Sequence, residues 1–360
     1  MTATFGKQFT VTIFGESHGV GIGVVIDGIP AGTELDLEEI AVEMKRRAPG
    51  QNVFSTPRKE DDIPEILSGY FNGRTTGTPL TALIRNTNTK SKDYSSLKSV
   101  MRPGQADYPG HKRYDGFQDY RGSGHFSGRI TAALVFAGAI AKQILAEKGI
   151  TIGAHVASVK DIMDDALDFQ TVTPELLKSF QKQELPLLNQ ELALPIEHLV
   201  RQAKADGDSV GGTIECMAIG LPAGIGNPFF DSIESVLAHL LFSVPAVKGV
   251  EFGTGFQIAQ LYGSQANDAY YYDQAQEVKT KSNHNGGITG GISNGMPIQF
   301  KVAVKAPASI SQKQETINID SQENADLEVV GRHDPIIVPR AIPVIEAVTA
   351  IGILDLLLTR

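Results

Sequence analysis

Between Arg129 and Lys142 every residue except Thr131 is apolar or glycine, and alanines recur. The run predicts a long helix over Gly128–Lys148 that is apolar around most of its circumference. Such a helix needs cover on more than one side, and layers of sheet around central helices supply that cover. A second apolar helix is predicted over Ala341–Leu358. The segment Asp164–Leu199, interrupted by Pro174, Pro186 and Pro195, reads as a polar, helical surface excursion.

Two segments read as copies of one module. Gly23–Gly32 runs as an apolar strand into Gly28-Ile29-Pro30-Ala31-Gly32, followed by a helical pattern from Leu37 to Arg47. Ile214–Gly224 runs likewise into Gly220-Leu221-Pro222-Ala223-Gly224, followed by a helical pattern from Ser232 to Phe242. Chance similarity of a five-residue turn is the competing account. With no low-complexity linker to divide it, the chain is expected to form one pseudo-symmetric α+β domain over residues 1–360.

The 360 residues are 41% hydrophobic and 20% charged, a composition that supports an ample core. A net charge of −9 argues against a general nucleic-acid binder. Cations nevertheless gather beside Gly, Ser and His, which points to a small anionic ligand, with solvated surface charge as the plain alternative. Cys216 is the single cysteine, so neither an internal disulfide nor a cysteine metal site is expected. No His/Asp/Glu spacing reads as a metal site. Met1–Lys7 lacks the apolar core of a signal peptide and no uncharged run suggests a membrane span, so a cytoplasmic enzyme is the expectation.

Four stretches carry the chemistry. Gly15-Glu16-Ser17-His18-Gly19 ends an alternating strand, Phe9–Phe14, and offers a hydroxyl and an imidazole suited to proton transfer. Arg121-Gly122-Ser123-Gly124-His125-Phe126-Ser127-Gly128-Arg129 leads into the long helix, where free N–H groups and flanking arginines suit an anion, or where Ser127 simply caps. Arg102–Tyr108 adds another arginine beside glycine. Gly331-Arg332-His333-Asp334-Pro335, with Val338-Pro339-Arg340, sets a carboxylate among cations, and an Arg332–Asp334 ion pair is expected. Two weaker signals follow. The Gly pairs of Asn283–Gly295 suit a flat ring, a phosphate or a structural turn. Lys305-Ala306-Pro307-Ala308-Ser309 offers a cation and a hydroxyl after the strand Ile298–Val304. His155, His198 and His239 stand apart and read as packed or surface histidines.

These stretches occur together, and in order, in a pattern that resembles the chorismate synthase family. Phe14-Gly-Glu-Ser-His-Gly, Arg102-Pro-Gly-Gln-Ala-Asp-Tyr, Asp119-Tyr-Arg-Gly-Ser-Gly through Arg129, and Gly331-Arg-His-Asp-Pro with Val338-Pro-Arg-Ala-Ile-Pro span nearly the whole chain. Val247-Lys-Gly-Val-Glu and Ser282-Asn-His support them. The resemblance implies a carbon–oxygen lyase converting 5-enolpyruvylshikimate 3-phosphate to chorismate and phosphate with reduced FMN. It also implies a single-domain β-α-β sandwich, helices between antiparallel sheets, assembled as a homotetramer. On the same basis Arg47, Arg102, Arg129 and Arg332 would clamp the substrate. His18 would protonate the reduced flavin, with Ser17 and Ser127 in the hydrogen-bond network, and Asp334 would assist removal of the ring proton. The flavin set would be His125, Phe126, Ser127, Gly290, Lys305, Ala306, Pro307, Ala308, Ser309 and Arg332. Arg47 is also associated with NADP, and NADPH or an external flavin reductase would supply electrons.

The chain departs from the family pattern at three places. Gln105 stands where the family has its second histidine, and an amide cannot act as an acid near neutral pH. His125-Phe126-Ser127-Gly128-Arg129 replaces Arg-Ser-Ser-Ala-Arg, a variant known in the family, and Val53 replaces an arginine. Without the family histidine, His125, His111 or the arginines alone would neutralise the leaving phosphate, with His125 favoured by its motif. Two rival readings share these motifs: an impaired paralogue that still binds FMN or substrate, and a flavin-dependent lyase acting on a related phosphorylated ring acid.

Overall fold

The computed structural model describes residues 3–50, 54, 60–87, 98–329 and 333–359. Two five-stranded sheets, antiparallel throughout, frame the molecule. The first contains β1 (Thr4–Phe5), β2 (Thr10–Gly15), β3 (Gly21–Asp27), β4 (Pro64–Ser68) and β5 (Leu80–Arg85), in the order β1-β2-β3-β5-β4. The second contains β6 (Thr151–Val159), β7 (Ile162–Met163), β8 (Gly212–Ile219), β9 (Val247–Phe252) and β10 (Ile298–Val304), in the order β9-β10-β8-β6-β7. Burial alternates residue by residue along Leu80–Arg85 and Ile298–Val304, the period of a strand with one face on the core.

Helices α1 (Leu37–Arg47), α2 (Thr131–Ala146), α3 (Ile233–Ser243) and α4 (Val338–Thr359) fill the interior. Asp36 and Ser232 cap α1 and α3, each accepting from backbone N–H groups in the first turn. Helix α2 touches β2 and β3 of the first sheet and packs along α4, which in turn lies on β6 and β8 of the second. At the crossing Gly138 is so close to α4 that a methyl group there would lie 2.2 Å from Ala347 Cβ. One buried apolar cluster runs from Phe9 and Ile22 through Phe136 and Ile345 to Cys216 and Phe300. Both long apolar helices, 78% and 83% buried, are therefore core helices.

The two modules seen in the sequence occupy equivalent places. Their strands, β3 and β8, are the middle strands of the two sheets. The glycines of their turns take matching left-handed backbones: Gly28 and Gly220 at φ 86° and 84°, Gly32 and Gly224 at φ 82° and 91°. The hydrogen bonds match as well. Gly32 N donates to Thr75 O at 2.8 Å and Thr75 Oγ1 to Pro30 O at 2.6 Å. Gly224 N donates to Ser293 O at 2.8 Å and Ser293 Oγ to Pro222 O at 2.6 Å. A minimal hairpin supplies each partner, Tyr70–Phe71 with Arg74–Thr75 and Ile288–Thr289 with Ile292–Ser293.

The Asp164–Leu199 segment includes the short helix Pro174–Ser179 and the start of the helix Ala193–Ala205. It is less superficial than its sequence suggests, because Leu167, Leu177 and Phe180 form a second small core with Met217.

Candidate active site

Ser17 and His18 lie just beyond β2, where Gly15 has φ 100° and the backbone leaves the sheet. Ser17 N donates to Gly124 O at 3.1 Å, which ties the turn to the segment 121–126. That segment carries three consecutive left-handed residues, Gly122, Ser123 and Gly124. The reason is crowding. A methyl group on Gly122 would lie 2.2 Å from His18 Nδ1 and 2.9 Å from Ser17 Oγ, and one on Gly124 would lie 2.1 Å from Asp119 O. Ser17 and His18 are both buried beneath this wrap. Ser127 then caps the turn that leads into α2, accepting from Arg129 N at 3.3 Å.

Beside this wrap opens a cavity of about 330 Å³, lined by Ser17, Arg47, Arg102, Ser127 and Arg129 among others. Residues Lys305–Ser309, Asp334 and Arg340 also line it, and Phe126, Pro245, Ala246, Ile337 and Val344 add apolar surface. Arg47, Arg102 and Arg129 are buried and already partnered. Arg47 donates to Asp62 Oδ2 at 2.9 Å and to Gly128 O at 2.7 Å. Arg129 donates to Asp62 Oδ1 at 2.6 Å and pairs with Glu60 at 2.5 Å. Arg102 forks onto Asp107 through Nε at 2.7 Å and Nη2 at 2.8 Å, and Nη2 also reaches Ser123 Oγ at 2.8 Å. Burial, then Arg340 and Arg129, lowers the Arg47 guanidinium to about 10 against the pull of Asp62, so it remains a cation near neutral pH. Burial and Lys248 lower Lys305, whose Nζ donates to Gly104 O at 2.5 Å.

The expected partner of Asp334 was Arg332, which lies outside the described residues, as does Val53. Asp334 pairs with Arg340 at 2.6 Å, and Arg340 also donates to Arg47 O at 3.1 Å. His18 is buried and does not line the cavity. His125 is exposed, its Nδ1 2.8 Å from Gly15 O, and does not line the cavity. Gly290 does not line it either; with Gly291 it forms the left-handed tip of the hairpin described above, at φ 64° and 85°. The Gly pairs of this stretch thus serve turns: a methyl group on Gly286 or Gly287 would strike the backbone of Gln299 or Pro297.

Sequence reasoning missed several groups here. Glu60, Asp62 and Asn86 hold the arginines but sit in no motif, and only the fold brings them near Arg47 and Arg129. Arg340 and His333 were visible inside a motif, yet nothing in their spacing told which would face the cavity. Among the described residues no group of three or more His, Cys, Asp or Glu gathers as a metal site.

A donor-rich cavity with an apolar wall, reached from four separated motifs, matches a known family over nearly its whole length. The chorismate synthase family model covers residues 9–358. The chain is 46% identical to chorismate synthase from Dehalococcoides mccartyi, over 99% of this chain and 97% of that protein. It belongs to the chorismate synthase family. The Methanocaldococcus jannaschii chorismate synthase is 44% identical over 99% of this chain and 96% of its own. A solved crystal structure of a chorismate synthase superposes with a TM-score of 0.77 at 31% identity, covering 99% of this chain and 93% of that one. The mixed α+β architecture with several antiparallel sheets is thus the chorismate synthase fold.

Proposed function

We propose that this cavity carries out the chorismate synthase reaction, the anti-1,4-elimination of phosphate from 5-enolpyruvylshikimate 3-phosphate to give chorismate. One observation carries the reading: Arg47, Arg102, Arg129, Arg340 and Lys305 converge on a single cavity in a chain of net charge −9. The substrate has two carboxylates and a phosphate, and guanidinium forks match such oxygens in geometry and charge. Pre-pairing with Glu60, Asp62 and Asp107 holds those forks in place before ligand arrives.

The chorismate synthase family uses reduced FMN. The residues present fit that cofactor. Phe126, Ala306, Pro307 and Ile337 give an apolar wall for a flat ring, while Lys305, Ser309 and the arginines give donors for its polar edge and phosphate. When bound, reduced FMN supplies electron density that assists departure of the phosphate. Ser17 and Ser127 contribute hydroxyls to the cavity, and buried His18, next to Ser17 in the chain, is the proton donor for the cofactor. Asp334, held by Arg340, places negative charge where the ring C–H proton departs.

Several finer readings accompany this one. The chain is a single domain built from a duplicated unit, a sandwich with its helices between the antiparallel sheets, as the matched turns and shared core support. It acts in the cytoplasm as a homotetramer, with NADPH or an external reductase as the source of electrons. Phe229 and Phe230, 86% and 92% exposed, support an assembly that covers them. Anaerobic assay tests the activity. Purified protein with reduced FMN and substrate should release chorismate and phosphate in equal amounts, and oxidised FMN should give none. Equal turnover with oxidised flavin, or none with reduced flavin, rejects the proposal.

A further inference from the structure

We propose that His333 is the acid that protonates the departing phosphate in this chain, in place of the family histidine replaced by Gln105. The inference rests on the reaction proposed above. Gln105 lines the cavity, but its amide can only donate a hydrogen bond and cannot release a proton near neutral pH. Neither His125 nor His111 lines the cavity, and among the described residues His333 is the histidine that does. Its Nε2 is buried and has no hydrogen-bond partner among those residues. Donors and acceptors buried in folded proteins are almost always partnered, so a buried, unpartnered ring nitrogen in a residue of the cavity lining is the atom with hydrogen-bonding capacity left for a ligand.

The charges around His333 explain how it becomes an acid only when needed. Arg102 and Asp334 face it, and Arg47, Glu60, Arg129, Lys305 and Arg340 line the same cavity. Without ligand, burial and Arg102 push the imidazole below its ordinary range against the opposing pull of Asp334, leaving it neutral near pH 7. A phosphate dianion beside Nε2 reverses that balance, because adjacent negative charge favours the imidazolium. Substrate entry therefore brings a proton to His333. In the elimination the C–O bond breaks with its electron pair kept by the phosphate oxygen, and the proton on Nε2 passes to that oxygen. The ring C–H pair becomes a double bond to the adjacent ring carbon as its proton departs to solvent, and the ring double bond already present shifts to the carbon that loses the phosphate. Atoms and charge balance without net redox, and solvent returns the proton to His333.

The test is anaerobic phosphate release with reduced FMN and saturating substrate across a pH series. It compares the wild type, His333→Asn, and His333→Asn combined with Gln105→His. Wild-type kcat should fall as pH rises through the ligand-bound pKa of His333. His333→Asn should lose roughly 10²–10⁴-fold in kcat and lose that limb, with little change in KM. Adding Gln105→His should restore both. Wild-type turnover and pH profile in His333→Asn overturn this inference alone, whereas a wild type that releases no phosphate removes the functional reading and this inference with it. If His333→Asn does not fold, the wild type decides. Proton uptake on joint binding of oxidised FMN and substrate, with an alkaline limb in kcat, supports the assignment, and the absence of either overturns it.

Discussion

Gly122 shows how one residue governs the site from outside the reacting groups. Its φ of 57° and the 2.2 Å approach to His18 Nδ1 leave no room for a methyl group. Gly122→Ala should therefore cost about 1–3 kcal/mol of stability through backbone strain and displace the imidazole. Turnover should fall at least about 10-fold, a loss typical of misplaced catalytic groups, with binding of oxidised FMN less affected. Urea unfolding and anaerobic kinetics check the two parts separately. Asp334→Asn keeps shape but removes charge, and should lower kcat by roughly 10²–10⁴-fold while substrate and FMN still bind. An Asn variant of undiminished kcat would reassign Asp334 to an ion pair with Arg340. At this scale Ser17, Arg102 and Arg129, which line the cavity, were marked in the chain by glycine and charge, whereas His18, marked in the same way, does not line it. The partners that set the geometry of the arginines were not so marked. Asp62 bridges Arg47 and Arg129 at 2.9 and 2.6 Å, yet lies in a segment with no periodicity or motif. The Asp334 partnership with Arg340 likewise depends on where the final helix begins.

At the scale of elements, the apolar run between Arg129 and Lys142 specified a core helix, and its observed bounds, Thr131–Ala146, fall inside the expected ones. The start of the last helix shows a limit of periodicity. It begins at Val338 rather than Ala341, and Pro339 is tolerated because first-turn N–H groups have no intrahelical acceptor. The duplicated turn was legible from five residues, but the second half of its reason was not. Only the fold shows Thr75 and Ser293 closing both turns through the same pair of bonds. The helix crossing provides a test in which two effects oppose each other. On an exposed helix Gly→Ala gains about 1 kcal/mol. At Gly138 the new methyl group would lie 2.2 Å from Ala347 Cβ, where overpacking costs typically about 1–3 kcal/mol. Packing should win, so Gly138→Ala should lower the urea midpoint, and adding Ala347→Gly should recover little of the loss, because the methyl group would still lie 2.3 Å from the Ala347 Cα. A stabilised single variant would show that the two helices separate easily.

Across the whole molecule, two buried ion clusters away from the cavity tie the elements together and set how stability varies with pH. Glu346, fully buried on α4, accepts from Arg46 of α1 at 2.6 Å, Lys142 of α2 at 2.9 Å and Ala154 N of β6 at 3.1 Å. Burial opposes its charge, but Arg46 and Lys142 overcome that and hold the carboxyl down to about 2. Its contribution is present above the ordinary carboxyl range and is lost as pH falls toward that value. His155 works in the opposite direction. Its Nδ1 lies 3.1 Å from Asp164 Oδ2 and its Nε2 2.9 Å from Glu215 Oε2, so both ring nitrogens must donate and the ring is an imidazolium. Burial pulls its pKa down, but hydrogen bonds to Asp164 and Glu215 raise it above the ordinary value. A base with a raised folded pKa stabilises fully below its unfolded value, about 6.5, and loses that stabilisation as pH rises through the folded value. The same bonds hold both carboxyls below their usual range despite burial, so their contribution is lost only on the acid side. Stability should therefore be greatest between the carboxyl range and about pH 6.5 and should decline on the alkaline side. In His155→Gln the alkaline decline should flatten and overall stability should drop, because one neutral amide then faces two buried carboxylates. Urea unfolding of both proteins across a pH series measures this, and an alkaline slope that survives in His155→Gln would move its origin away from His155.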